Sequence, residues 1–80
     1  MVPSALVNFE LNGERRDDLG GDPDGPEGPL TVLALLTKLD LADRRVAVAI
    51  NAEVVPRSSF LATRIREGDR VEVIQAVGGG

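Results

Sequence analysis

From Ala5 to Leu11 the chain alternates, with Ala5, Val7, Phe9 and Leu11 on one side and Asn8 and Glu10 on the other. A period of two with one apolar face predicts a half-buried strand. Asn12-Gly13 follows, a pair suited to the type I′ turn of a tight hairpin because both central positions need φ > 0. The return segment, Glu14 to Leu19, is charged and weakly patterned, which predicts an exposed edge strand guarded against unwanted pairing.

The period then changes. Gly20 to Pro29 contains only Gly, Pro, Asp and Glu and reads as a loop. Val32, Leu35, Leu36 and Leu39 fall at i, i+3, i+4 and i+7, one face of an α-helix, with Thr31 as its N-cap and Pro29 preventing an earlier start. Val46-Ala47-Val48-Ala49-Ile50 is apolar on both faces, large residues on one side and alanines on the other, which predicts a central strand. Asn51-Ala52 reads as a second tight turn into a short strand, Glu53 to Val55, that Pro56 ends because it has no N–H to donate. Ser58 is the expected cap of a short helical turn through Phe60 and Leu61, with Ile65 returning to the core. Glu67-Gly68-Asp69 is a turn, and Arg70 to Val77 is the last strand, with Val71, Val73 and Ile74 as its packing residues.

One helix cannot cover both faces of a sheet, so the order of elements predicts an α+β layer: a mixed four- to five-stranded sheet curled over one α-helix. The first and last strands are expected side by side as a central parallel pair. Eighty residues make one small domain. Its body is read as residues 1–76, followed by a flexible C-terminal glycine tail, residues 77–80.

Composition narrows the chemistry. At 42% hydrophobic and 28% charged the chain is an ordinary globule. It has no Cys and no His, which excludes disulfides, thiolate or imidazole metal sites, cysteine nucleophiles and Ser-His-Asp triads. No Tyr or Trp and only two Phe leave no stacking platform for bases, and the net charge of −4 disfavours nucleic acid and anionic membrane. No apolar run approaches the ~20 residues that span a bilayer, so a cytoplasmic location is the default. The loop offers no phosphate cradle, because Asp22, Asp24 and Glu27 repel phosphate and no Walker lysine follows. Nor do those three acids fit the twelve-residue calcium pattern.

What is left is the end of the chain, Val77-Gly78-Gly79-Gly80. A glycine carboxylate has no flanking Cβ, so a reagent can approach its carbonyl carbon from either side. Ala76 to Gly80, fully extended, reach about 17 Å, enough to enter a partner's pocket. Gly80 and Gly79 are therefore the candidate functional positions, with Gly78 as a flexible lead; a frayed, functionless end is the plain alternative.

The segments Val46 to Ser58, with Asn51-Ala52-Glu53-Val54-Val55-Pro56-Arg57 inside, and Arg66 to Gly80, with Gly68-Asp69-Arg70-Val71-Glu72-Val73-Ile74 leading to the glycines, resemble the sulfur carriers of thiamin biosynthesis, the ThiS family. The likeness covers the chain well from Leu30 onward. It departs at the longer acidic loop of residues 20–29 and at Ala52, where a glycine is common. The related small subunit of molybdopterin synthase typically ends in a proline-containing run that Gln75 to Gly80 lacks.

The resemblance implies the β-grasp, or ubiquitin-like, fold and a protein that is not an enzyme. It also implies that an adenylating (E1-like) enzyme consumes ATP to form an acyl-adenylate on Gly80, no cofactor being bound by the carrier itself. A sulfur donor such as a cysteine desulfurase is then expected to leave a thiocarboxylate on Gly80 for delivery to thiazole synthase. Gly79 and Gly78 are the positions at which the tail would be recognised. Exposed apolar residues on the sheet, Val54 or Phe60 among them, and Arg57, Arg64, Arg66 and Arg70 are candidate docking contacts. Three alternatives remain: sulfur transfer to molybdopterin, attachment to other proteins as a modifier, and a ubiquitin-like interaction domain whose end is never activated.

Overall fold

The computed structural model describes residues 6–21 and 28–75. The elements run β1 (Phe9–Leu11), β2 (Glu14–Arg16), α1 (Val32–Lys38), β3 (Val46–Ile50), β4 (Glu53–Val55), a 3₁₀ turn (Arg57–Ser59) and β5 (Arg70–Gln75). They form one five-stranded sheet in the order β2-β1-β5-β3-β4. β1 and β5 are parallel, and the other neighbours are antiparallel. A hairpin, a crossing helix, a second hairpin and a last strand inserted between them make the mixed sheet over one helix expected from the order of elements, in the β-grasp arrangement that the resemblance implied.

Both tight turns form as their residues dictate. Asn12 and Gly13 have φ of 51° and 85°, and Asn51 and Ala52 have φ of 52° and 71°. All four are left-handed, as a type I′ turn demands. β1 is shorter than its alternating stretch: Val7 is buried like Phe9 and Leu11, but its N–H donates to the Gly20 carbonyl at 2.8 Å, outside the ladder. Ala5 lies outside the described residues. Gly21, at φ 104°, passes so close to Val7 that a Cβ there would stand 2.7 Å from the Val7 side chain.

The helix is short, and its ends are tied down. The Thr31 hydroxyl accepts the Ala34 N–H at 3.1 Å, while the first-turn N–H groups of Val32 and Leu33 donate to the carbonyls of Thr63 and Phe60. The segment after β4 thus satisfies donors that a helix start leaves open. At the other end Asp40 is left-handed, the Leu41 N–H donates to the Leu36 carbonyl at 2.7 Å and the Asp40 N–H to Thr37 at 3.1 Å. This is a Schellman ending with Asp in the place usually held by Gly.

Val32, Leu35 and Leu36 of α1 pack with Phe9, Leu11, Val48, Val71 and Val73 of the sheet and with Leu30, Phe60 and Ile65. Leu39, the fourth residue of the predicted stripe, is half-buried against this core.

Three expectations are corrected. Ile74 does not pack in the core: strand period two turns it to the opposite face from Val71 and Val73, and it is 64% exposed. Ser58 is not a cap; Pro56 precedes the 3₁₀ turn and no side chain caps it. β3 is a central strand as expected, lying between β5 and β4, but its alanine face is open, with Ala47 exposed and Ala49 half-buried. An all-apolar strand reads as covered on both sides, but here the second face carries only methyl groups and needs no cover.

Candidate functional site at the end of the last strand

β5 is held along both edges for most of its length. The Glu10 and Asn12 N–H groups donate to the carbonyls of Asp69 and Val71 at 2.9 Å, and the Asn51 N–H donates to Arg70 at 2.7 Å. Odd-numbered residues of β5 therefore present their backbone groups to β1 and even-numbered ones to β3. The Asn51 carboxamide secures the start of the strand, accepting the Arg70 N–H at 2.9 Å and donating to the Asp69 carboxylate at 3.0 Å. Asp69 in turn accepts the Arg66 N–H at 2.8 Å, closing the turn before β5.

The face of the sheet away from α1 divides into two halves. Across β2, β1 and the start of β5 it is charged: Arg15 stands opposite Glu10, and Arg70 lies 3.6 Å from the Glu10 carboxylate. Across β3, β4 and the end of β5 it is apolar. Ala47 lies opposite Ile74, and Ala49 lies between Val54 on β4 and the exposed Glu72 on β5, so two small residues adjoin two aliphatic side chains exposed at 64% and 74%, with one carboxylate at the border. This half adjoins Gln75, the last described residue of β5.

Gly78, Gly79 and Gly80 lie outside the described residues, as do Asp22, Asp24 and Glu27 of the acidic loop. Of the two apolar docking candidates, Val54 is on the open face, whereas Phe60 is 6% exposed and belongs to the core. The arginines separate. Arg70 begins β5, about 17 Å from Gln75 along a strand rising 3.3 Å per residue, and Arg64 and Arg66 lie in the segment that leads into it.

Arg57 is elsewhere: its guanidinium donates to the Arg44 carbonyl at 3.2 Å and lies 5.9 Å from the centre of the Phe60 ring. Because Val46 pairs with Gln75, Arg44 and Arg45 come to the end of the sheet where β5 finishes. Sequence inspection passed over these two; the signal was available only through the antiparallel register of β3 on β5.

Among the described residues no charged side chain is buried, and no group of three or more His, Cys, Asp or Glu is placed to hold a metal. The resolved perturbation is at the surface. The hydrogen bond from Arg16 to Asp18, 3.0 Å, holds the Asp18 carboxyl below and the Arg16 guanidinium above the ordinary range, in an exposed pair outside the apolar half. No helix among the described residues is long and apolar enough to cross a membrane.

The chain thus joins a small sheet to a C-terminal glycine run. The sequence pattern of the ThiS family matches residues 9–80, from β1 through the three glycines. The chain belongs to the ThiS family. A crystal structure of a thiamine biosynthesis protein, ThiS, from Geobacter metallireducens superposes with a TM-score of 0.69 at 37% identity, covering 92% of this chain and all of that one. The sulfur carrier protein ThiS of Escherichia coli K12 is 36% identical over 50 residues, 62% of this chain and 76% of that protein. A thiazole synthase of Paramagnetospirillum magneticum is 37% identical over 74 residues, 92% of this chain; the ThiS-family chain spans 20% of that protein's length.

Proposed function

We propose that this protein carries sulfur for the thiazole part of thiamin synthesis, with the Gly80 carboxylate as the reactive group. The observation that carries the reading is the family match extending unbroken from β1 through Gly78, Gly79 and Gly80. The name of the Escherichia coli relative supports sulfur carriage. The thiazole synthase relative, which contains a stretch like this one, supports thiazole synthase as the acceptor.

Chemistry dictates the order of steps. A carboxylate is a poor electrophile because its charge is shared by two oxygens, so it must first be activated. An adenylating enzyme joins Gly80 to AMP and releases pyrophosphate. A sulfur nucleophile then attacks the carbonyl carbon, and the bond to the AMP oxygen breaks as the bond to sulfur forms. With sulfur at the sulfide level the product is a thiocarboxylate, whose sulfur passes to the acceptor on thiazole synthase as an oxygen returns to the Gly80 carbonyl carbon. Without cysteine, the body of the protein offers no other atom on which to hold transferable sulfur.

In this scheme the body does two things. It delivers the glycine run from the end of β5, and it docks through the apolar half of its open face, where Ile74 and Val54 are exposed. Gly79 and Gly78 let the tail enter a channel too narrow for a branched side chain.

ATP–pyrophosphate exchange with the adenylating enzyme tests the reading. Removing Gly80, or adding one residue after it, abolishes exchange, and Gly79→Val does so while leaving the fold intact. Unchanged exchange in the Gly80-deleted protein contradicts the proposal.

A further inference from the structure

The turn residue Asn12 does more than turn the chain. β1 ends at Leu11, and its pairing with β5 ends at Leu11 opposite Val71. The Asn12 side chain then continues what the backbone gives up. Its Oδ1 accepts the Val73 N–H at 2.8 Å, and its Nδ2 donates to the Val73 carbonyl at 3.2 Å. A carboxamide has the donor and acceptor geometry of a peptide group. Asn12 therefore adds one more rung to the parallel ladder, 61 residues away in sequence, while its own backbone, at φ 51°, is already leading into β2.

Past Val73 no strand among the described residues pairs with that side of β5. The N–H and carbonyl of Gln75 point the same way as those of Val73 by strand parity, whereas on the β3 side pairing continues to Val46 opposite Gln75. Within its described length the middle strand is thus held on both sides through Val73 and on the β3 side alone beyond it.

We infer that Asn12 is a positioning residue for the C-terminal run, its carboxamide fixing Val73 as the last doubly held residue of β5 and so setting where the tail leaves the body. The role in delivery rests on the proposed activation of Gly80; the hold on Val73 does not. Without the clamp, β5 frays back from its end and the tail's point of departure wanders. The activating enzyme must then order that segment as it binds, which weakens capture of the carrier without changing the chemistry at the carbonyl.

The test is Asn12→Gly, which keeps a residue suited to φ > 0 and removes both side-chain bonds. Amide hydrogen exchange followed by NMR reads the clamp alone. Val73 exchanges faster by about tenfold or more, as loss of a hydrogen bond allows, while Val48 and Leu36 do not accelerate beyond what the change in global stability gives. Pyrophosphate exchange reads delivery: the apparent KM for the carrier rises about threefold to tenfold with kcat within about twofold, an effect on binding rather than on the transition state. Ile65→Val, a core change at a distance from β5's end, serves as a control for lost stability and leaves KM unchanged.

If Asn12→Gly does not fold, Asn12→Asp, which keeps the acceptor but sets an oxygen against the Val73 carbonyl, reads the same amide. Val73 exchange that merely follows global unfolding overturns the clamp. A faster Val73 amide with KM no different from that of Ile65→Val overturns the role in delivery. A wild-type protein that gives no pyrophosphate exchange overturns the proposed function and the delivery role with it, and leaves the Val73 amide to decide the clamp.

Discussion

Among the described residues, four without a glycine's freedom sit in left-handed backbone: Asn12, Asp40, Asn51 and Ala52. For the first three a short polar side chain makes this tolerable, and both asparagines use theirs to hold β5. Ala52 has no such compensation. At φ 71° its Cβ crowds the backbone, a strain of about 1–2 kcal/mol that glycine avoids at a cost of ~0.5–1 kcal/mol in unfolded-chain entropy. Ala52→Gly is expected to stabilise the protein by about 0.5–1 kcal/mol, raising Tm by roughly 2–8 °C in a domain this small. A lower Tm in thermal denaturation contradicts that reading. The two Asn-containing turns were legible in the sequence, because turn chemistry is local. What the Asn12 carboxamide does was not, since its partner is brought to it only by the fold.

Among the elements, the strand and helix periods gave the layers and the parallel pairing of β1 with β5, because one amphipathic helix and one sheet can cover each other in few ways. Facing was harder to read. Ile74 adjoins Val73 in an apolar run, and only the strict alternation of β5, with Val71 and Val73 inward, sends it outward beside Ala47. Val54 and Phe60 looked alike as apolar residues near a turn, yet β4 turns Val54 out and the 3₁₀ turn sends Phe60 in. Ile74→Asp and Val54→Asp are accordingly expected to leave thermal stability nearly unchanged, as surface changes do, and to weaken binding to the adenylating enzyme or thiazole synthase by about tenfold. Calorimetric titration measures the affinity. Full affinity in the double variant moves the docking face elsewhere, and a collapse in Tm shows that these side chains belong to the core.

For the molecule as a whole, the division of labour follows from what the residues lack. The chain has no cysteine and no histidine, and none of its described charged side chains is buried; in the proposed function its chemistry is done by other enzymes. In that proposal its contribution is a reactive end and a surface by which that end is recognised. Family membership covers the fold and the glycine run together, whereas which enzymes act on the run is a matter of proposal. The most direct measurement is the intact mass of the protein isolated from its own cell under non-reducing conditions, with fragmentation to locate any change. The account predicts a population in which one oxygen of the terminal carboxyl at Gly80 is replaced by sulfur, lost when the adenylating enzyme is deleted. A protein bearing only the ordinary carboxylate in cells making thiamin, with thiazole synthase inactivated so that sulfur would accumulate on the carrier, contradicts it.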